Sequence, residues 1–157
     1  MVLAAALAAA PVVSAPADPP EPDCDSVPLF GVVLLPGAHF GSTTAAAGSG
    51  YIEFRPFEWA GLRTGAELSR AGYSIDFLGI KLSPLAHARF RPYLAGAVSA
   101  DFPANKQGQS YLGFAGAVGL DVTLGAGFYL EAEGRMRAFK GTGLQGGAFL
   151  GLGFEFL

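Results

Sequence analysis

The chain has 157 residues, 51% of them apolar and only 15% charged, with a net charge of −3. Soluble domains carry roughly a quarter charged residues, so this chain has given up solubilising charge. Its mild acidity and lack of any Lys/Arg cluster argue against a nucleic-acid partner. The single cysteine, Cys24, excludes an internal disulfide and any cysteine-cluster metal site.

In chain order, Met1 to Ala15 is a short Ala/Leu/Val run ending in Pro-Val-Val-Ser-Ala. Val13 and Ala15 suit signal-peptidase cleavage after Ala15, and Ala15-Pro-Ala17 offers a second site. The run is too short to cross a bilayer as a helix. Residues 1–15 are expected to be an export signal, truncated at its front because no basic segment precedes the apolar run. Residues 16–28 mix prolines (Pro19, Pro20, Pro22) with acids (Asp18, Glu21, Asp23, Asp25). Such a composition buries nothing and reads as a disordered linker. Pro22 and Asp23, directly before Cys24, do not suit lipid attachment there.

From residue 29 onward, apolar alternation recurs between turn residues. The predicted strands are Leu29–Phe40, Gly50–Pro56, Trp59–Arg70, Tyr73–Leu82, Phe90–Phe102, Ser110–Leu124, Gly127–Phe139 and Gly143–Phe156. Short connectors at Phe57-Glu58, Ser83–Arg89 and Gly125-Ala126 share one end with both termini. Connectors at 41–49, 71–72, 103–109 and 140–142 share the other end. The expected fold is all-β, an eight-stranded antiparallel up-and-down transmembrane barrel over residues 29–157.

A strand sends successive side chains to opposite faces. In the sixth strand Leu112, Phe114, Val118, Leu120, Val122 and Leu124 oppose Tyr111, Gly113, Ala115, Ala117, Gly119, Asp121 and Thr123. In the seventh, Phe128, Leu130, Ala132, Met136 and Ala138 oppose Tyr129, Glu131, Glu133, Arg135 and Arg137. In the last, Leu144, Ala148, Leu150, Leu152, Phe154 and Phe156 oppose small or polar residues, with Phe149 as the single large intruder. Each base set against lipid near the midplane would cost about 2–4 kcal/mol, which a domain stable by roughly 5–15 kcal/mol cannot absorb repeatedly. The charged face must look inward. The Gly- and Ala-rich character of that face suits a narrow lumen. Aromatics at Phe40, Tyr51, Phe57, Trp59, Tyr73, Phe90, Phe102 and Phe128 are expected to form girdles at the strand ends.

Inward parity then collects Glu53, Arg55, Arg63, Glu67, Lys81, Asp121, Glu131, Glu133, Arg135, Arg137 and Glu155. Charges so confined should pair, since an unpaired buried charge costs several kcal/mol. One connected network is expected among Arg63, Glu67, Lys81, Glu131, Glu133, Arg135 and Arg137, acting as a static plug.

The segments Leu78-Gly-Ile-Lys-Leu-Ser-Pro84, Phe90-Arg-Pro-Tyr-Leu-Ala-Gly-Ala-Val98, Phe114-Ala-Gly-Ala-Val-Gly-Leu-Asp-Val122 and Phe149-Leu-Gly-Leu-Gly-Phe-Glu-Phe156 resemble the outer-membrane protein A-like family of eight-stranded barrels. The likeness covers about residues 29–157 and lacks that family's C-terminal peptidoglycan-binding domain. It implies a bacterial (Gram-negative) outer-membrane location among lipid and lipopolysaccharide. It implies handling by periplasmic chaperones and the barrel assembly machinery, with Leu152, Phe154 and Phe156 as the C-terminal assembly signal. For some members it also implies a rearranging ion-pair gate in a narrow, porin-like pore. Family chains usually end in an aromatic residue, whereas here Leu157 follows Phe156.

No catalytic, metal-binding or cofactor-binding constellation is expected. His39 with Ser42 straddles a strand end, and His87 with Ser83 lies in an inner turn; neither suits a nucleophilic pair. The glycine-rich segments precede no helix and are not phosphate loops. Three functions remain in view: a structural outer-membrane barrel with at most a narrow pore for small solutes, a soluble exported lipocalin-like carrier, and a lipid A-modifying enzyme.

Overall fold

The computed structural model describes residues 30–41, 44–85, 87–105, 109–140 and 143–156. The expected signal, the linker, Cys24, Ser42 and Leu157 lie outside the described residues. Eight strands follow one another: β1 (Phe30–Phe40), β2 (Thr44–Phe57), β3 (Ala60–Ser69), β4 (Gly72–Leu82), β5 (Phe90–Pro103), β6 (Tyr111–Gly125), β7 (Phe128–Phe139) and β8 (Gly143–Phe156). Each pairs antiparallel with its neighbours, and β8 pairs with β1 to close the barrel. Closure leaves no edge strand, so every strand finds backbone partners on both sides, as a chain surrounded by lipid requires.

The apolar parity faces outward. Leu34, Leu68, Leu112, Phe114, Leu130 and Leu152 are all exposed on the barrel's outside, while Glu131 and Arg135 are buried within it. This distribution inverts that of a soluble barrel.

Three expectations need correction. The segment 41–49 is not a long loop: β2 begins at Thr44, and Ala45, Ala46, Ala47 and Gly48 pair with His39, Ala38, Gly37 and Pro36. Small residues carry little strand preference of their own, and the ladder to β1 supplies what they lack. Tyr51 therefore lies mid-strand and points into the lumen at 3% exposure, so it belongs to no girdle. Trp59 and Arg70 fall in turns beyond the ends of β3.

In β4, Phe77 is an extra residue. The β5 partners run Asp76↔Ser99 and then Leu78↔Val98, and Phe77 and Leu78 both face outward. This bulge reverses the parity, so that Asp76 and Lys81 both point inward despite the odd spacing between them.

Large inward rings are accommodated by glycines on the neighbouring strand. Tyr51 pairs with Gly65, Tyr93 with Gly119, Phe139 with Gly113, Tyr129 with Gly153 and Phe149 with Gly37. A Cβ at any of these glycines would collide with the ring opposite. The lumen thus fits aromatic side chains only because the facing position is empty. Phe149, the intruder of the last strand, packs with Val33, Leu35, Tyr51 and Tyr129 in one apolar cluster on the inner face. The β6–β7 turn runs through positive φ at Gly125, Ala126 and Gly127 (112°, 52° and 80°), a region where glycine is unstrained and a side chain is tolerated sparingly.

Candidate functional site

The lumen is the candidate site, because alternation on every strand delivers side chains to it. At the end shared by the termini, Arg55 bridges Glu53 (2.8 Å) and Glu155 (2.5 Å). Arg91 reaches the same Glu155 at 2.7 Å. One layer further in, the Lys81 ammonium sits among three carboxylates: Glu53 at 3.1 Å, Asp121 at 3.0 Å and Glu131 at 3.1 Å. Arg63 then joins Glu131 (3.4 Å) to Glu133 (2.6 Å), and its guanidinium lies 3.6 Å from the centre of the Tyr51 ring.

Beyond it, Arg135 pairs with Glu133 and, at 2.7 Å, with Glu67. Arg137 links Glu67 (2.6 Å) to Asp76 (3.0 Å). The His39 Nδ1 closes the far end, 2.9 Å from Glu67. Hydroxyls add to several of these carboxylates. Tyr51 and Ser99 donate to Asp76, Tyr93 contacts both Glu131 (2.6 Å) and Glu133 (2.7 Å), and Ser74 donates to Asp101.

All eleven residues selected by parity lie on this inner surface, and the contacts join them into one chain of ion pairs running the length of the barrel. Most of the pairs connect strands that are not neighbours, such as Arg63 of β3 with Glu133 of β7. Sequence reasoning missed Arg91, Asp101, Asp76 and His39. Arg91 and Asp101 were open to discovery, since Pro92, Leu94 and Val98 set the outward parity of β5. Asp76 was not, because the Phe77 bulge that turns it inward has no local signature. His39 was noticed only as a candidate nucleophile partner, whereas it is engaged with Glu67.

A cavity of about 20 Å³ lies between Arg63, Glu133 and the small residues of β5 and β6, room for roughly one water molecule. His87, the other histidine, is exposed and meets Glu58 at 2.9 Å in the inner turns.

On the outside of the same end, Phe154 and Phe156 of the expected assembly signal form part of an aromatic row. Phe54, Phe30, Phe156, Phe154 and Phe128 follow one another with ring centroids 5.2, 6.1, 6.0 and 4.7 Å apart. The row crosses the β1/β8 closure at its middle.

No family model and no curated protein matches the chain. Solved structures do. The N-terminal β-barrel domain of Pseudomonas aeruginosa OprF is 18% identical, with a TM-score of 0.60 over 80% of this chain and 97% of that one. Neisserial surface protein A (NspA) is 12% identical, with a TM-score of 0.59 over 81% of this chain and 96% of that one. A de novo designed transmembrane β-barrel is 10% identical, with a TM-score of 0.61 over 83% of this chain and 98% of that one. A designed barrel among these likenesses underlines that what is shared is architecture. The chain has the closed, all-antiparallel eight-stranded fold of outer-membrane barrels.

Proposed function

We propose that this protein is an outer-membrane barrel of structural type, its lumen sealed by ion pairs and passing at most small solutes. The observation that carries the reading is the distribution of side chains. An apolar outer wall surrounds a buried ionic interior, and the charges within pair with one another across the lumen. Such a wall is stable against hydrocarbon and unstable against water. A soluble lipocalin-like carrier needs the opposite arrangement, with an apolar cavity for its ligand.

On this reading the chain is exported and folded by periplasmic chaperones and the barrel assembly machinery. The machinery reads Leu152, Phe154 and Phe156, and the barrel rests among lipid and lipopolysaccharide, as the resemblance to the outer-membrane protein A-like family implies. No reaction is assigned to it. His39 is occupied by Glu67, and His87 lies at the opposite end from the lipopolysaccharide leaflet.

Cell fractionation with heat-modifiable migration on detergent gels tests the location. Recovery from the outer membrane with a compact band that shifts on boiling is expected, and recovery from the soluble periplasm would defeat the proposal. Lipid A mass spectrometry with and without expression is expected to show no difference; a new acylation pattern would replace the structural role with an enzymatic one.

A further inference from the structure

We propose that the lumen contains a latent route for water and small monovalent ions along its β5–β6 wall. Two aromatic rings, Tyr93 and Phe139, complete the ionic seal by closing this route at its two ends. The inference rests on the sealed-lumen reading and says where that seal lies.

The ionic side chains come mainly from β2, β3, β4 and β7. Midway along the barrel, the inner face of β5 and β6 carries Ala95 and Ala97 opposite Ala117 and Ala115. These short side chains reach too little of the lumen to fill it, and the cavity lies against them, with Arg63 and Glu133 on its other side. Arg63 is buried at 6% exposure, yet its Nε and Nη2 donors have no protein hydrogen-bond partner. A buried guanidinium edge beside a water-sized space is suited to hold water.

The layers above and below are closed differently. Towards the termini, the Tyr93 ring crosses from β5 over Gly119 of β6. It is pinned there by its hydroxyl on Glu131 and Glu133 and by the Lys81 ammonium 4.1 Å from the ring centre. Towards the other end, Phe139 crosses from β7 over Gly113 of β6. Both rings are almost wholly buried, at 3% and 4% exposure. On this wall an aromatic ring lies above a glycine in each closing layer, and alanines line the space between.

Planar-bilayer recording of the full chain in potassium chloride tests the assignment, with heat-modifiable migration checking that each variant folds. Wild type is expected to be silent, and Tyr93→Ala with Phe139→Ala together to give discrete openings. Adding Ala97→Leu and Ala115→Leu to that pair should abolish them, since the bulk then fills the alanine layer without touching an ion pair. Silence of the folded ring variant overturns the proposal while leaving the sealed-lumen reading intact. Openings that survive the two leucines place the route elsewhere and also overturn it. Openings in wild type overturn the proposal, since the rings would then close nothing.

If the ring variant does not fold, Ala97→Cys in a Cys24→Ser background reads the same barrier. Its labelling by a small thiosulfonate is expected to be slow with both rings present and fast with Phe139→Ala alone. Equal rates would overturn the proposal.

Discussion

The lumen has two unlike walls. Along β2, β3, β4 and β7, charged side chains reach across the interior and tie together strands far apart in the chain, as Lys81 of β4 does with Glu131 of β7. Along β1 and β8, where the barrel closes, the inner face is apolar: Val33, Leu35 and Phe149 pack together, and the only ionic groups, His39 and Glu155, sit at opposite ends. The backbone ladder is also interrupted there. Register pairs between β1 and β8 stop at Leu34↔Leu152 and resume at Gly37↔Phe149, flanking Pro36, which has no N–H to donate. The aromatic row on the outside crosses the same seam. The ionic wall therefore locks a barrel that is already closed, because most of its partners meet only across a finished lumen. The seam is held by packing on both of its faces.

The sharpest way to break this contrast is to remove the central cation. Lys81→Met leaves Glu53, Asp121 and Glu131 facing one another, and stripping one partner from a buried ionic cluster costs about 3–5 kcal/mol. Denaturant unfolding from detergent micelles is expected to show that loss, and a stability near wild type would reduce the ionic wall to decoration.

The apolar wall should respond more mildly. Val33→Ala removes two buried methyl groups, a loss of about 1.6 kcal/mol at roughly 0.8 kcal/mol per carbon, read in the same unfolding assay. Its cost should not change with salt concentration, since no charge is involved.

The aromatic row should contribute least. Phe30→Ala breaks contacts with Phe54 and Phe156, and aromatic pairs contribute about 0.5–1.5 kcal/mol beyond their area. The compact band of this variant is expected to unfold at a slightly lower temperature, whereas Phe90→Ala, outside the row and exposed on the barrel, should leave it unmoved.

The ionic wall touches the apolar cluster where the Arg135 guanidinium lies 4.5 Å from the centre of the Phe149 ring. A double-mutant cycle with Arg135→Met and Phe149→Leu should return a coupling of about 0.5–1 kcal/mol. A coupling of zero would leave that contact without energetic weight.

Much of this molecule was legible in the chain itself. Alternation with a period of two is a local property, so residues such as Leu130 and Glu131 announce opposite faces without any knowledge of their partners. The cost of a charge in hydrocarbon then determines which face looks inward. Eight such segments with short connectors determine the fold class, and the inward parity determined which side chains would line the lumen.

Tertiary structure decided the rest, because partners across a lumen depend on closure and stagger, which no single strand encodes. It paired Arg63 with Glu133 and Arg55 with Glu155, and it set each inward ring over a glycine on the next strand. It extended β2 through Ala45–Gly48, residues whose strand character comes from their neighbour β1. It also turned Asp76 inward through one extra residue at Phe77, where the ladder, and not the alternation of the sequence, assigns the face.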